Sequence, residues 1–352
     1  PITSLDETTR AALEGIGFKM TGERMIRGAV VDPQPREIAE RALFHKHHLH
    51  QSTRHENEIM ALKVIDEIRD DFALRGRSEL YRVDLKSMAS AHRLHQGINL
   101  RGHQVWASYE HFQNILAIRN QPADEELWDI VEFFSSHSDP NLFKERHALS
   151  QTEFRKLVQP LIRSGHIVQD FRGGFRSVFV PEGVDRAELR KEYIRNLVEK
   201  FPVITLRQLT QLAGPSFKPE ELKAVLNAFE EDETLIKGFL IEDFHQVCWG
   251  RKELLQEAKS IPSIRDFVLP PSDPIAPYFA DIMKERFGFG SAYLVFRNAE
   301  PVAAFKANTR NKIIDVKDYE GSEKAWRIVK EFAWEHQMPL QTELRIGGKK
   351  LQ

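Results

Sequence analysis

The sequence predicts an α+β protein with an N-terminal helical region, tandem winged helices and a small C-terminal β-barrel-like domain. Three observations carry that expectation. Apolar residues at spacings of three and four mark helices between Arg36 and Phe229. Two consecutive segments, from Ser150 and from Leu189, repeat one order of elements: helix, glycine-containing stop, apolar strand, turn, strand. A rigid connector, Leu269-Pro270-Pro271-Ser272-Asp273-Pro274, then leads into three short apolar strands and a final helix.

Residues 1–35 read as an N-terminal segment and linker. Glycines break Phe18–Arg27 into a hairpin-like unit, and Asp32-Pro33-Gln34-Pro35 is extended. Residues 36–140 read as the helical region. Ile59, Leu62, Ile65, Ile68 and Phe72 form one helical stripe, and helical patterning resumes over Val83–Leu94 and Val105–Ala117. A further helix carries Leu127, Ile130, Val131 and Phe134, with Asp124, Glu125 and Glu126 complementing the dipole of its first turn.

Residues 141–184 read as the first winged helix. Ser150 and Glu153 have the spacing of a capping box, Phe154 to Ile162 follow at helical spacing, and Ser164-Gly165 closes the helix. The strand Ile167–Phe171, the turn Arg172-Gly173-Gly174 and the strand Phe175–Val180 make the wing. Residues 185–262 read as the second winged helix: Leu189–Val198, a Thr205-capped helix Leu206–Leu212, a helix entered at Pro219, and a hairpin of Leu235–Leu240 with Gln246–Trp249. Two unrelated α/β pieces would also fit this pattern. Residues 263–352 read as the small β-domain, with strands Tyr293–Phe296, Pro301–Phe305 and Ile313–Val316 and a helix Glu323–Glu335. Three strands need a packing partner, which suggests a small barrel or curled sheet.

Composition narrows the function classes. The 352 residues hold 50 basic and 52 acidic side chains, so a nucleic-acid site must be local. Apolar runs are far too short for a membrane span, and no membrane partner is expected. The lone Cys248 excludes an intrachain disulfide and suits a reducing, cytoplasmic setting. The chain opens at Pro1 without a methionine, which suggests a fragment or a processed chain.

The charge is unevenly spread. Residues 143–176 hold Lys144, Arg146, Arg155, Lys156, Arg163, Arg172 and Arg176 against Glu145, Glu153 and Asp170, a surplus of four. A basic helix and wing tip of this kind fits a phosphate backbone, and Phe171 and Phe175 beside the turn could stack on unpaired bases or simply fill the hairpin core. Lys144, Arg146, Arg155, Lys156, Arg163, Arg172, Phe175 and Arg176 are the candidate nucleic-acid contacts. Arg75, Arg77, Arg82, Lys86, Arg93 and Arg101, near His92, His95 and His103, read as a second basic stretch: a solvated face or a channel extension. Residues 220–243 carry eight acids against Lys223 and Lys237 and should repel DNA. This second unit is expected to pack between the first and the β-domain.

The crowded His45, His47, His48, His50 and His55 match no recognised zinc spacing and read as a polar helix surface. No metal and no cofactor are expected. Asp273, with a proline on either side of its turn, is the carboxylate singled out for catalysis, either activating water or stabilising an oxocarbenium-like sugar. Asp-Pro is also a turn signal.

The runs Ser272-Asp273-Pro274-Ile275 and Tyr293–Ala304, with Tyr109-Glu110-His111-Phe112 upstream, resemble the C-terminal part of large helicase-related (Lhr-type) superfamily 2 helicases. That region is in turn similar to a family of DNA glycosylases that repair alkylated and crosslinked DNA. The resemblance implies tandem winged helices with a small β-barrel, and a DNA-binding accessory region serving a helicase or repair protein. The chain departs from both. It has no phosphate-cradling Gly-x-x-x-x-Gly-Lys-Ser/Thr loop, so it is no motor by itself, and it lacks the Gln-x-Gln or Gln-x-Asp catalytic pair. Gln208 and Gln211, three apart, read as ordinary helix surface. The expected partners are single-stranded or forked DNA, or RNA, and a helicase motor in the same or another chain. The alternatives are a glycosylase-like hydrolase using Asp273 and a winged-helix transcription regulator.

Overall fold

The computed structural model describes residues 18–21, 24–27, 33–47, 49, 67, 89–90, 93–242, 244, 246–261, 266–309, 313–346 and 349–351. The apolar stripe from Ile59 to Phe72, the basic residues Arg75, Arg77, Arg82 and Lys86, and His48, His50, His55 and His92 lie outside them.

The expected hairpin forms from Phe18–Thr21 and Arg24–Arg27. The helix Arg36–Lys46 follows Pro35 and buries Ala39, Ala42, Leu43 and Phe44 on one face. Downstream, the helical expectation fails over two short stretches. His95–Ile98 and Gln104–Ala107 are antiparallel strands, and the helix begins only at Tyr109, capped by Ser108. The turn between the strands carries no proline. Instead the Asn99 side chain accepts hydrogen bonds from the Arg101 and His103 amides at 3.0 and 2.9 Å. Gly97 is required here, because a Cβ would lie 2.6 Å from the Phe112 ring.

The first helix-and-wing unit comprises the helices Trp128–Ser136, Pro140–Arg146 and Gln151–Ser164 and the strands Ile167–Asp170 and Phe175–Ser177. Its core includes Val131, Phe134, Phe143, Phe154, Val158, Leu161 and Phe175, and so takes in the helix Trp128–Ser136 upstream of residue 141. The wing strands join the His95–Ile98 hairpin in one four-stranded sheet. The second unit runs Arg186–Glu199, Val203–Thr205, Leu206–Ala213, Pro219–Glu231, Ile236–Gly238 and Cys248–Gly250, with Cys248–Gly250 central in its three-stranded sheet. Thr205 and Gln208 form a capping box, and Pro219 occupies the first helical turn, where a missing N–H costs nothing.

The C-terminal sheet has five strands rather than three: Phe267–Leu269, Tyr293–Arg297, Glu300–Asn308, Ile314–Gly321 and Leu340–Thr342, the last one parallel. The two added strands have three residues each, too short to show alternation against a proline-rich connector or a helix end. Bulges after Val295 and Lys306 curl the sheet into a half-barrel. Its faces follow the period of two. Tyr293, Val295, Ala303 and Phe305 pack on the helix Glu323–Glu335 through Trp326, Val329 and Phe332. Leu294, Phe296 and Ala304 join the large central core.

That central core also holds Val168 and Val178 of the first unit and Leu209, Leu226 and Trp249 of the second. At its centre the Phe44 ring meets Phe267, Phe296 and Phe279 at 5.0, 4.9 and 5.8 Å, and Tyr278 stacks on Phe201 at 5.1 Å. The second unit thus contacts the β-domain through Phe201 and through Gln208, whose Nε2 donates to the Tyr278 carbonyl at 3.0 Å. Arg190 ties it toward the first unit by donating to the Ile118 carbonyl at 3.1 Å while pairing with Glu221 at 2.8 Å.

Two outcomes follow from this packing. Phe296 is wholly buried in the aromatic junction, so Phe296→Ala should lower stability by about 3–5 kcal/mol. Urea melts read this directly, and a loss under about 1 kcal/mol would show that the junction is dispensable. The second outcome concerns Glu40, which is 2% exposed beside Arg36. Burial pushes its carboxyl up to about 8 against the pull of Arg36. The folded chain therefore binds a proton that the unfolded chain releases near pH 4.5. That contribution is present below this value and is lost as pH rises toward 8, by at most roughly 1.4 kcal/mol per pH unit. Thermal melts between pH 5 and 8 should show the decline, and Glu40→Gln should flatten it.

Candidate nucleic-acid interface and carboxylate cleft

The helix Gln151–Ser164 is built to present a charged face. The expected capping box forms: the Ser150 amide donates to Glu153 Oε2 at 2.8 Å, and the Glu153 amide donates to Ser150 Oγ at 3.3 Å. Phe154, Val158 and Leu161 are buried, which turns Arg155, Lys156 and Arg163 to solvent. Gly165 ends the helix at a φ of 91°. The wing turn is closed by Asp170, whose Oδ1 accepts from the amides of Arg172 and Gly174, both at 2.8 Å.

Arg172 lies over the Phe171 ring at 5.2 Å, and Arg176 lies over the Tyr109 ring at 3.8 Å. Arg146 is exposed at the end of its helix, while Lys144 is half-buried and donates to Gln151. Arg93, Arg146, Arg155, Lys156, Arg163, Arg172 and Arg176 have no carboxylate partner among the described residues. The second unit behaves oppositely. Its Arg190, Arg195, Arg207 and Arg251 pair with Glu221, Glu192, Asp281 and Glu199.

Phe175 requires a correction. It is 9% exposed and packs against Phe134 and Phe154 at 5.4 and 5.8 Å, so its ring is core and not an exposed contact. The strand alternation places it inward, whereas Phe171 falls past the last paired residue and stays 38% exposed.

A second assembly lies between the helices Tyr109–Arg119 and Arg186–Glu199. Here a cleft of about 140 Å³ is lined by Glu67, Arg101, His111, Tyr193, Lys200 and Ile275, among others. The Glu67 side chain is 12% exposed. Its Oε2 accepts from Asn99 Nδ2 at 2.7 Å, its Oε1 meets His111 Nε2 at 2.9 Å, and Arg101 stands 3.7 Å away. Burial alone would raise this carboxyl, but His111, Arg101 and Asn99 outweigh it and bring it to about 2. Glu67 is thus a buried carboxylate held ionised across the working pH range. Sequence reasoning did not single out Glu67, and His111 entered only within the resembling run Tyr109-Glu110-His111-Phe112. Glu67 sits between two residues of an apolar stripe, and its partners come from 32 and 44 positions away.

Asp273 is 2% exposed, and its Oδ1 accepts from the Ile275 amide at 3.0 Å. It shapes the turn that presents Pro274 and Ile275 to the cleft, while its own side chain is not among the lining. Gln208 is not helix surface: it is buried in the capping box, and its carboxamide spans to Tyr278. His47 is buried, with Nε2 against the Lys200 carbonyl at 3.1 Å, and His45 is exposed. Among the described residues no three His, Cys, Asp or Glu side chains converge on a metal site, and no helix is long and apolar enough to cross a membrane. Burial pushes the Cys248 thiol up to about 12, which leaves it unreactive.

One residue joins the two assemblies. Arg119 donates through NH1 to the Arg163 carbonyl at 3.0 Å, and through NH2 to the carbonyls of Ile98 and Asn99 at 3.1 and 2.6 Å. The end of the basic helix is thereby tied to the turn whose Asn99 holds Glu67.

No family model and no curated protein matches the chain. Among solved structures, the DNA glycosylase AlkZ of Streptomyces sahachiroi is similar at a TM-score of 0.62 and 9% identity, over 88% of this chain and 100% of that one. At that identity the likeness is one of fold, and it covers most of the α+β architecture described above.

Proposed function

We propose that the chain binds DNA through its first helix-and-wing unit and hydrolyses an N-glycosidic bond at the Glu67 cleft. The observation that carries the binding half is the set of cations without carboxylate partners on Gln151–Ser164 and the wing. In the second unit Arg190, Arg195, Arg207 and Arg251 are paired internally; here the cations are left for phosphates, whose contact releases counterions. The hydrolytic half rests on Glu67 and on the fold shared with a protein described as a DNA glycosylase.

The chemistry suits an ionised carboxylate. As the base departs, positive charge develops on the sugar at C1′, and a fixed negative charge stabilises it. Water supplies the new C–O bond, the C–N bond breaks, and the proton released by water goes to the departing base or to solvent. At a pKa near 2, Glu67 is too weak a base to activate that water efficiently. Its role is electrostatic, with Asn99 and His111 as positioning residues. Asp273 is the alternative carboxylate.

A specific observation favours a second reading. Both Glu67 oxygens are already engaged by Asn99 and His111, as a purely structural knot would have them. The chain would then be a non-catalytic accessory region serving a helicase motor on single-stranded or forked DNA, or on RNA, in the cytoplasm.

Replacing Arg172 and Arg176 together with alanine should weaken binding about equally for all sequences and lower the salt-dependence slope by about two. Fluorescence anisotropy across a salt series measures this, and an unchanged slope would remove the wing from the interface. Glu67→Gln should abolish formation of abasic sites in alkylated DNA while leaving affinity unchanged, and Asp273→Asn should retain base release. The reverse pattern transfers the catalytic role to Asp273. Absence of release in the parent chain supports the accessory reading.

A further inference from the structure

We propose that the cleft at the base of the wing takes one unstacked nucleotide of a bound strand, with its base against Phe171 and its phosphate on Arg176 and Arg93. The proposal rests on the DNA-binding reading above and goes beyond it, since it assigns a site distinct from the Glu67 cleft. The cavity measures about 370 Å³ and lies between the wing, the end of the helix Trp128–Ser136 and the segment leading into His95. That volume falls in the range of small organic ligands and exceeds what a lone phosphate needs.

The lining has the parts that a nucleotide requires. Phe171, at 38% exposure, is an aromatic surface with no place in the core. A base with an open face stacks on such a ring whatever its identity. Arg176 supplies a fixed cation. Its guanidinium lies 3.8 Å from the Tyr109 ring centre, and Tyr109 is itself anchored by donating from Oη to the Ser177 carbonyl at 2.8 Å. A planar fork held against a ring in this way loses little freedom when it grips a phosphate. Arg93 adds a second exposed cation on a backbone with φ of 52°, a conformation that costs energy in a residue other than glycine.

Two further groups define the pocket. His95, on its wall, is 7% exposed, and its Nδ1 has no hydrogen-bond partner among the described residues. Asp170 is the carboxylate on the lining, and its Oδ1 is committed to the turn amides of Arg172 and Gly174. A phosphate is therefore directed to the side of Arg93 and Arg176, leaving the base at Phe171. Paired bases inside a duplex offer no free face, so the pocket selects strands that are single, forked or bulged.

The test uses three labelled oligonucleotides: a paired duplex, the same duplex with a one-nucleotide 2-aminopurine bulge, and a single strand. Phe171→Ala should weaken the bulged and single-stranded forms about ten-fold and leave the duplex unchanged. Phe171→Trp should restore them. Changing Arg155 and Lys156 together to alanine should weaken all three in equal proportion. The 2-aminopurine signal should change on binding to the parent chain and not to Phe171→Ala. An equal loss on all three ligands, or no loss on any, would overturn the pocket while leaving DNA binding intact. A parent chain that binds none of the three overturns the DNA-binding reading itself.

Discussion

The aromatic junction around Phe44 is the contact on which the rest of the arrangement depends. Five elements meet there: the helix Arg36–Lys46, the strands Phe267–Leu269 and Tyr293–Arg297, the segment carrying Tyr278 and Phe279, and Phe201 of the second unit. Edge-to-face and stacked rings add directional preference to the burial of large apolar area. Two of the rings come from elements with little core of their own. The three-residue strand Phe267–Leu269 and the 3-10 turn at Ala276–Phe279 would not persist alone. Once the junction closes, the half-barrel, the second unit and the N-terminal helix have one relative position, and the turn at Asp273 brings Ile275 into the wall of the Glu67 cleft.

Electrostatics divides the molecule in a way that net charge hides. Fifty basic and 52 acidic residues nearly cancel. In the second unit the cancellation is local, residue against residue, and its arginines serve as struts. In the first unit it is incomplete, and the uncompensated cations share the helix and the wing. An ion pair at a surface is worth little. The distinction that matters is therefore availability for an external anion, which follows from where the carboxylates are and are not.

Much of this was legible in the sequence where the determinant is local. The capping box at Ser150, the stop at Gly165, the glycine wing turn and the first-turn proline at Pro219 depend on residues within a few positions of one another. The strands His95–Ile98 and Gln104–Ala107 were not legible, because each has only four residues and the turn between them, closed by the Asn99 side chain with Gly102 at a φ of 79°, carries no proline. Phe175 and Phe171 could not be told apart in the sequence, because alternation fixes which ring points inward only once the last paired residue is known. Glu67 escaped notice for a different reason. Its charge is meaningful only beside Asn99, Arg101 and His111, and chain topology alone brings these together. Asp273 drew attention through its prolines, which are equally the signature of the turn it holds.

The bonds made by Arg119 carry a consequence for mechanics. Three donations from one guanidinium bind the carbonyl ends of two structures, the close of the charged helix and the tip of a β-turn. Burial lowers the Arg119 pKa from its usual value, yet the side chain keeps its proton and with it all its donors. The guanidinium is planar and rigid, so it transmits displacement where a lysine would absorb it by bending. The end of the charged helix and the turn that orients the Glu67 carboxylate consequently share one fulcrum, so a shift of the outer surface is carried to the inner charge.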